Sequence, residues 1–168
     1  LKWLRSQDPP CFWDERTSYE AAKRGDLEML EWGRSQMPPM PWDEKTCWSA
    51  AKGGQLAVLK WLRSQDPPCE WDERTSYEAA KRGDLEMLEW GRSQMPPMPW
   101  GGLTCQGAAA AERDQLAVLK WLRSQDPPCE WNEETPFKAR MGAQLEVLQW
   151  LRDQYPHCPG VDDYYGCR

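Results

Sequence analysis

The chain has 168 residues, 29% of them charged, a net charge of −6 and a mean hydropathy of −0.87, with 12 Trp against 2 Phe. That acidity excludes a protein that tracks phosphates and so needs a dominant basic face, which sets nucleic acid aside as a partner. No apolar run approaches the ~20 residues of a membrane span, and no charged stretch leading into an apolar segment marks a signal peptide.

Self-similarity sets the frame for the elements. Trp3, Trp32, Trp61, Trp90, Trp121 and Trp150 are spaced 29, 29, 29, 31 and 29 apart, and Trp13, Trp42, Trp71, Trp100 and Trp131 keep the same steps. One repeat domain follows: a partial repeat at 1–13 holding only a second helix, full repeats at 14–42, 43–71, 72–100, 101–131 and 132–160, and a tail at 161–168. Residues 1–42 and 59–100 differ only at Phe12 against Glu70, so a 58-residue block was copied.

The first string, LKWLRSQDPPC, returns at 59–69 and 119–129. It is the end of an amphipathic helix and its stop, because the residue before a proline is pushed out of the α region. Leu1 and Trp3 lie there without a first helix before them, so the array is expected to continue upstream. In 14–42, the acidic pair Asp14-Glu15 suits a helix N-terminus, and Thr17 with Glu20 has the spacing of a T-x-x-E capping box. Gly25 then offers a left-handed cap and Asp26 opens a second helix.

Repeat 43–71 follows the same plan through Gly54 and Gln55. Its LAVLKWLRSQ turns Leu56, Val58, Leu59, Trp61 and Leu62 inward, with Lys60, Arg63 and Ser64 on the polar arc. Repeat 72–100 supplies Thr75 with Glu78, then Gly83 and Asp84. In 101–131, Gly101-Gly102 replaces the acidic pair, without the Lys-Ser/Thr or preceding strand of a phosphate loop. There Ala108 to Ala111 are expected to lengthen the first helix, and the gap in the ladder of acidic pairs Asp14-Glu15, Asp43-Glu44 and Asp72-Glu73, resumed at Glu133 and Glu134, is expected to bend the stack. In 132–160, Pro136 after Thr135 is a first-turn proline, and Lys138, Arg140 and Met141 begin a polar cap.

Alanine pairs at 21–22, 50–51 and 79–80 permit close helix approach, and the Trp after each proline turn is expected to plug the groove between repeats. Helices of ~8–11 residues fall short of the ~12–15 that stand alone, so the repeats must stack. The fold class expected is all-α, a solenoid of stacked helix-turn-helix repeats.

TPFKARMGAQLEVLQWL at 135–151 resembles the ankyrin pattern TPLHxAAxxGHLEVVxxLL, and AAKRGDLEMLEW and AAKGGQLAVLKWL match its centre in other copies. The chain thus resembles the ankyrin repeat family from Leu1 to about Gly160. The period is 29 instead of about 33, and PPxxW stands where the family has its hairpin, so a tight proline turn is expected in place of the β-finger. The resemblance implies a non-catalytic protein–protein interaction scaffold that binds through its first helices and turns.

Chemistry-bearing patterns are sparse. The one histidine, His157, sits in YPHCPG with no partnered carboxylate, and with Cys158 and Cys167 it lacks zinc-site spacing. No catalytic, cofactor-binding or metal residue is therefore assigned. Cys11, Cys69, Cys129 and Cys158 occupy one slot that holds Met40 and Met98 in other repeats, which marks a soft apolar position. Thiols used this way favour a reducing, intracellular compartment, cytoplasmic or nuclear. Arg5, Arg34, Arg63, Arg92, Arg123 and Arg152 form a ladder expected to offset neighbouring acids.

Partner contacts are sought where copies vary. Two residues after Thr stand Tyr19, Trp48, Tyr77, Gln106 and Phe137, a row that is either core or binding face. Next come Glu20, Ser49, Glu78, Gly107 and Lys138, whose mixed chemistry reads as solvated. Before the turn Trp stand Phe12, Glu70 and Glu130, alternating with Pro41 and Pro99; before the first proline, Met37 and Met95 alternate with Asp66 and Asp126. The candidate binding set is Phe12, Tyr19, Glu20, Trp48, Glu70, Tyr77, Glu78 and Glu130, facing an extended or basic protein. The alternative is a structural spacer in a larger protein whose activity lies elsewhere.

Overall fold

The computed structural model describes residues 12–111, 116–130, 132 and 134–154. Among them lie ten helices and no strand: α1 Glu15–Arg24, α2 Leu27–Arg34, α3 Glu44–Gly53, α4 Leu56–Arg63, α5 Glu73–Arg82, α6 Leu85–Arg92, α7 Gly102–Ala109, α8 Leu116–Ser124, α9 Glu134–Met141 and α10 Leu145–Gln154. His157, Cys158, Cys167, Leu1, Trp3, Cys11 and the tail lie outside the described residues.

Each first helix starts earlier than the capping-box reading expects. The caps are Asp14, Asp43 and Asp72, whose carboxylates accept the N–H of Arg16, Lys45 and Arg74 at 3.0, 2.9 and 3.0 Å. The threonine lies inside the first turn, and in α3 its hydroxyl accepts the cap's own N–H: Asp43 N–H to Thr46 Oγ1, 3.4 Å. Asp is the stronger claimant because a carboxylate answers both the open N–H groups and the positive end of the helix. The far ends match expectation: Gly25, Gly54 and Gly83 adopt φ of 80°, 72° and 77°.

The second helices open on Asp26 and Asp84, which accept from Met29 and Met87 N–H, and on Gln55, which makes no such bond. They end at Ser35, Ser64 and Ser93, ahead of the proline stop. The repeated Arg-Ser-Gln does this work. Ser64 Oγ and Gln65 Nε2 donate to the Trp61 carbonyl oxygen at 2.8 and 3.0 Å, and Arg63 Nη1 donates to the Cys69 carbonyl oxygen at 2.7 Å. Cys69 N–H then returns to Leu62 O at 3.0 Å, closing the turn, and Met40, Met98 and Cys129 repeat that bond. The Asp-Pro or Met-Pro bond of each described turn is cis. Open carbonyls at the helix end are thus met by side chains and a fold-back amide.

The chain divides into two compact units between Glu70 and Trp71. In the first, α1 packs along α3, with α2 and α4 each against its own first helix. Ala22, Leu30, Met40, Cys47, Leu59 and Leu62 are fully buried there. In the second, α5 packs along α7 and α7 along α9, with α6, α8 and α10 behind them. Its core is drawn from Ala80, Met87, Leu88, Met98, Leu119 and Leu148. The first helices come so close that a Cβ at Gly53 would strike the Lys23 carbonyl, and one at Gly107 the Tyr77 carbonyl.

The turn tryptophans join successive repeats, as expected. Trp13–Trp32, Trp42–Trp61, Trp71–Trp90 and Trp100–Trp121 meet edge to face at 5.6, 5.7, 5.9 and 5.8 Å. One expectation is corrected: Trp61 and Leu56 are only half-buried, because the Trp pair forms near the surface and the innermost places go to Val58, Leu59 and Leu62.

Repeat 101–131 also departs from expectation. Its first helix is shorter, 8 residues against 10 in α1, α3 and α5, and Ala110 and Ala111 leave the helix to begin the connection to α8. Gly101 has no carboxylate to cap α7, and Glu73 supplies one from α5: its Oε1 accepts Leu103 N–H at 2.9 Å. A neighbour's acid thus replaces the missing pair.

Candidate protein-binding surface

Two members of the row two residues after Thr latch one first helix to the start of the next. On α1, Tyr19 is half-buried and its hydroxyl donates to Asp43 Oδ2, the carboxylate that caps α3, at 2.6 Å. On α7, Gln106 Nε2 donates to Asn132 Oδ1 at 3.3 Å, and that same oxygen accepts Glu134 N–H at 3.1 Å at the start of α9. Burial and the bond to Asp43 hold the Tyr19 phenol above its ordinary value of 10.0. Trp48 and Tyr77 are half-buried on α3 and α5, and Trp48 Nε1 is buried without a hydrogen-bond partner. Phe137, at the same slot of α9, is 42% exposed, with the Lys138 and Arg140 cations 5.9 Å from its ring centroid.

The following position is not uniformly solvated. Glu20 is exposed and pairs with Arg24 at 3.8 Å, and Glu78 and Lys138 are half-buried, but Ser49 and Gly107 are buried. At Gly107 the Tyr77 carbonyl of the preceding first helix leaves no room for a Cβ.

The arginine ladder is also put to other use. Arg34 and Arg92 donate to the Met40 and Met98 carbonyl oxygens at 3.1 and 3.2 Å, and their guanidinium groups lie 4.0 Å over the rings of Trp42 and Trp100. Arg123 donates to the Cys129 carbonyl oxygen at 2.9 Å. The planar fork suits a carbonyl and a ring face together, which a point charge would not.

The turns, by contrast, face solvent. Phe12 is 98% exposed, Met37 90% and Met95 91%, and Glu70 and Glu130 are exposed beside Asp66 and Asp126. The candidates thus fall on two kinds of element: Phe12, Glu70 and Glu130 on turns, and Tyr19, Glu20, Trp48, Tyr77 and Glu78 on first helices, where Tyr19 already serves packing. Met141 and Leu145, 74% and 57% exposed, add apolar surface where the equivalent residues are Lys23, Lys52 and Lys81 and the half-buried Leu27, Leu56 and Leu85.

A groove of about 330 Å³ lies along α1 and α2, where Arg16 and Arg24 face Glu20 and Asp26 around Ala21 and Met29. No helix among the described residues is long and apolar enough to cross a membrane, and no group of three metal-ligating side chains gathers among them. Set against protein-family models and curated proteins, the chain matches none.

Proposed function

We propose that the chain is a non-catalytic protein-interaction scaffold, a segment of a divergent ankyrin-type solenoid, that binds an extended basic protein surface through its turns and first helices. The observation that carries this reading is where the copies differ. The buried Leu30, Leu59, Leu88, Leu119 and Leu148 repeat unchanged, whereas the turn slot reads Phe12, Pro41, Glu70, Pro99 and Glu130. Repeated acids at that edge and the net charge of −6 favour a cationic partner. None of the four described cysteines is in a disulfide, which supports an intracellular site, cytoplasmic or nuclear.

The spacer alternative draws support from the copied block, because Met37 and Met95 are equally exposed in identical surroundings. Fluorescence titration with extended Lys/Arg-rich peptides separates the two. A scaffold binds them with salt-sensitive affinity, and Glu70→Lys with Glu130→Lys weakens binding about tenfold or more. Equal binding by the charge-reversed variant, or none at millimolar peptide, removes the scaffold reading.

A further inference from the structure

One pair of cysteines does more than fill space. Cys105 on α7 and Cys129 in the turn after α8 are 24 residues apart, yet their sulfurs lie 3.0 Å from each other. Both are free thiols, 0% and 1% exposed. The Cys105 thiol donates to Cys129 Sγ, and Cys129 Sγ donates onward to the Gly101 carbonyl oxygen at 3.1 Å. The same slots of repeat 43–71 hold Cys47 and Cys69, where Cys47 Sγ donates to the Cys69 carbonyl oxygen at 3.7 Å and Cys69 Sγ to that of Asp43 at 3.3 Å.

We infer that Cys105 and Cys129 form a reversible intramolecular disulfide with a low-molecular-weight disulfide as oxidant, clasping the first helix of repeat 101–131 to its closing turn. Sulfurs in contact need only about 1 Å of travel to reach the ~2.05 Å bond. Access is through the turn: Asp126, Pro127, Pro128 and Glu130, which flank Cys129, are all exposed, so the movement that admits an oxidant is local.

The exchange balances in two steps. The Cys129 thiolate attacks one sulfur of the oxidant RSSR, forming Cys129–S–S–R and releasing RS⁻. The Cys105 thiolate then attacks the Cys129 sulfur, forming the Cys105–Cys129 bond and releasing a second RS⁻. Two protein thiols lose two electrons, RSSR gains them, and the two thiol protons leave with RS⁻ as RSH. The order follows from the hydrogen bond between the thiols. Donation from Cys105 draws the Cys129 thiol below its ordinary 9.0, while the same bond and burial hold Cys105 above it, so Cys129 ionises first.

The test treats the folded full chain with oxidised glutathione, blocks remaining thiols with N-ethylmaleimide and maps the peptides by mass spectrometry. The expected result is a peptide cross-linked through Cys105 and Cys129, with alkylation lost at both and restored by dithiothreitol. In Cys105→Ser, glutathione should stay on Cys129 as a stable mixed disulfide, because the resolving thiol is gone. Alkylation of both wild-type thiols after oxidation, or linkage of either to another cysteine, overturns the inference. The wild-type map decides the matter even if the variant folds poorly.

Discussion

Side-chain size is matched across the turn, residue against residue. Where the second helix carries Gly33 or Gly91, the turn slot holds Met40 or Met98; where it carries Leu62 or Leu122, the slot holds Cys69 or Cys129. A Cβ at Gly91 would lie 2.7 to 3.0 Å from the Met98 side chain, so the small residue makes room for the long one. Gly91→Leu alone should therefore destabilise by about 1–3 kcal/mol through overpacking, and Met98→Cys should recover most of that loss. Additive losses in a chemical-unfolding double-mutant cycle would contradict the matching. Tyr19 supports a second prediction. Its folded phenol holds its proton above the ordinary 10.0, so its contribution is complete below pH 10 and falls as the unfolded chain ionises above it. Tyr19→Phe should flatten the alkaline loss of stability, and an unchanged alkaline slope would show that the Asp43 bond contributes nothing.

Helix ends carry most of the element-scale information. Aspartate caps, glycine stops and the Arg-Ser-Gln closure recur because each satisfies the same open backbone groups. The last described repeat breaks the rule: Ala143 takes the glycine place at φ 53°. A side chain in the left-handed region costs about 1–2 kcal/mol, so Ala143→Gly should raise the unfolding free energy by about 1 kcal/mol, less the entropy that glycine adds to the unfolded chain. No gain in urea unfolding would mean that the surroundings have relaxed the strain. Gln144 next to it is buried, with its amide on the Ala111 carbonyl, so a side chain ties this last repeat to the one before it.

At a larger scale, tryptophan pairs and first-helix contacts tie neighbouring repeats within each compact unit, so stability is expected to follow a sum of repeat and nearest-neighbour terms. The Trp42–Trp61 pair should show a coupling of about 0.5–1.5 kcal/mol in a double-alanine cycle, as edge-to-face pairs do. Trp32→Ala and Trp121→Ala touch pairs that share no residue, and their costs should add to within about 0.5 kcal/mol. Strong coupling between those two sites would show that the repeats do not act as nearest neighbours. The division between Glu70 and Trp71 falls inside the copied stretch, and the first described helix of each unit is the same ERTSYEAAKR segment, packed against the next first helix of its own unit.

Repeat length, helix pairing, the glycine stops and the proline-closed turns were legible in the sequence. They depend on residues a few positions apart, where backbone preference and hydrophobic period act directly. The Cys/Met slot was legible as apolar, but its match to Leu or Gly, seven residues back, was not read. Among the candidate binding residues, exposure of Phe12, Glu70 and Glu130 followed from their place in the turns. The roles of Tyr19, Gly107 and Glu73 did not, because each is set by a helix roughly one repeat away: the Asp43 carboxylate, the close Tyr77 backbone of the preceding first helix, and the uncapped amide of Leu103. Local chemistry determined the repeat, and only tertiary packing decided which of its polar and small residues were spent on the neighbouring copy.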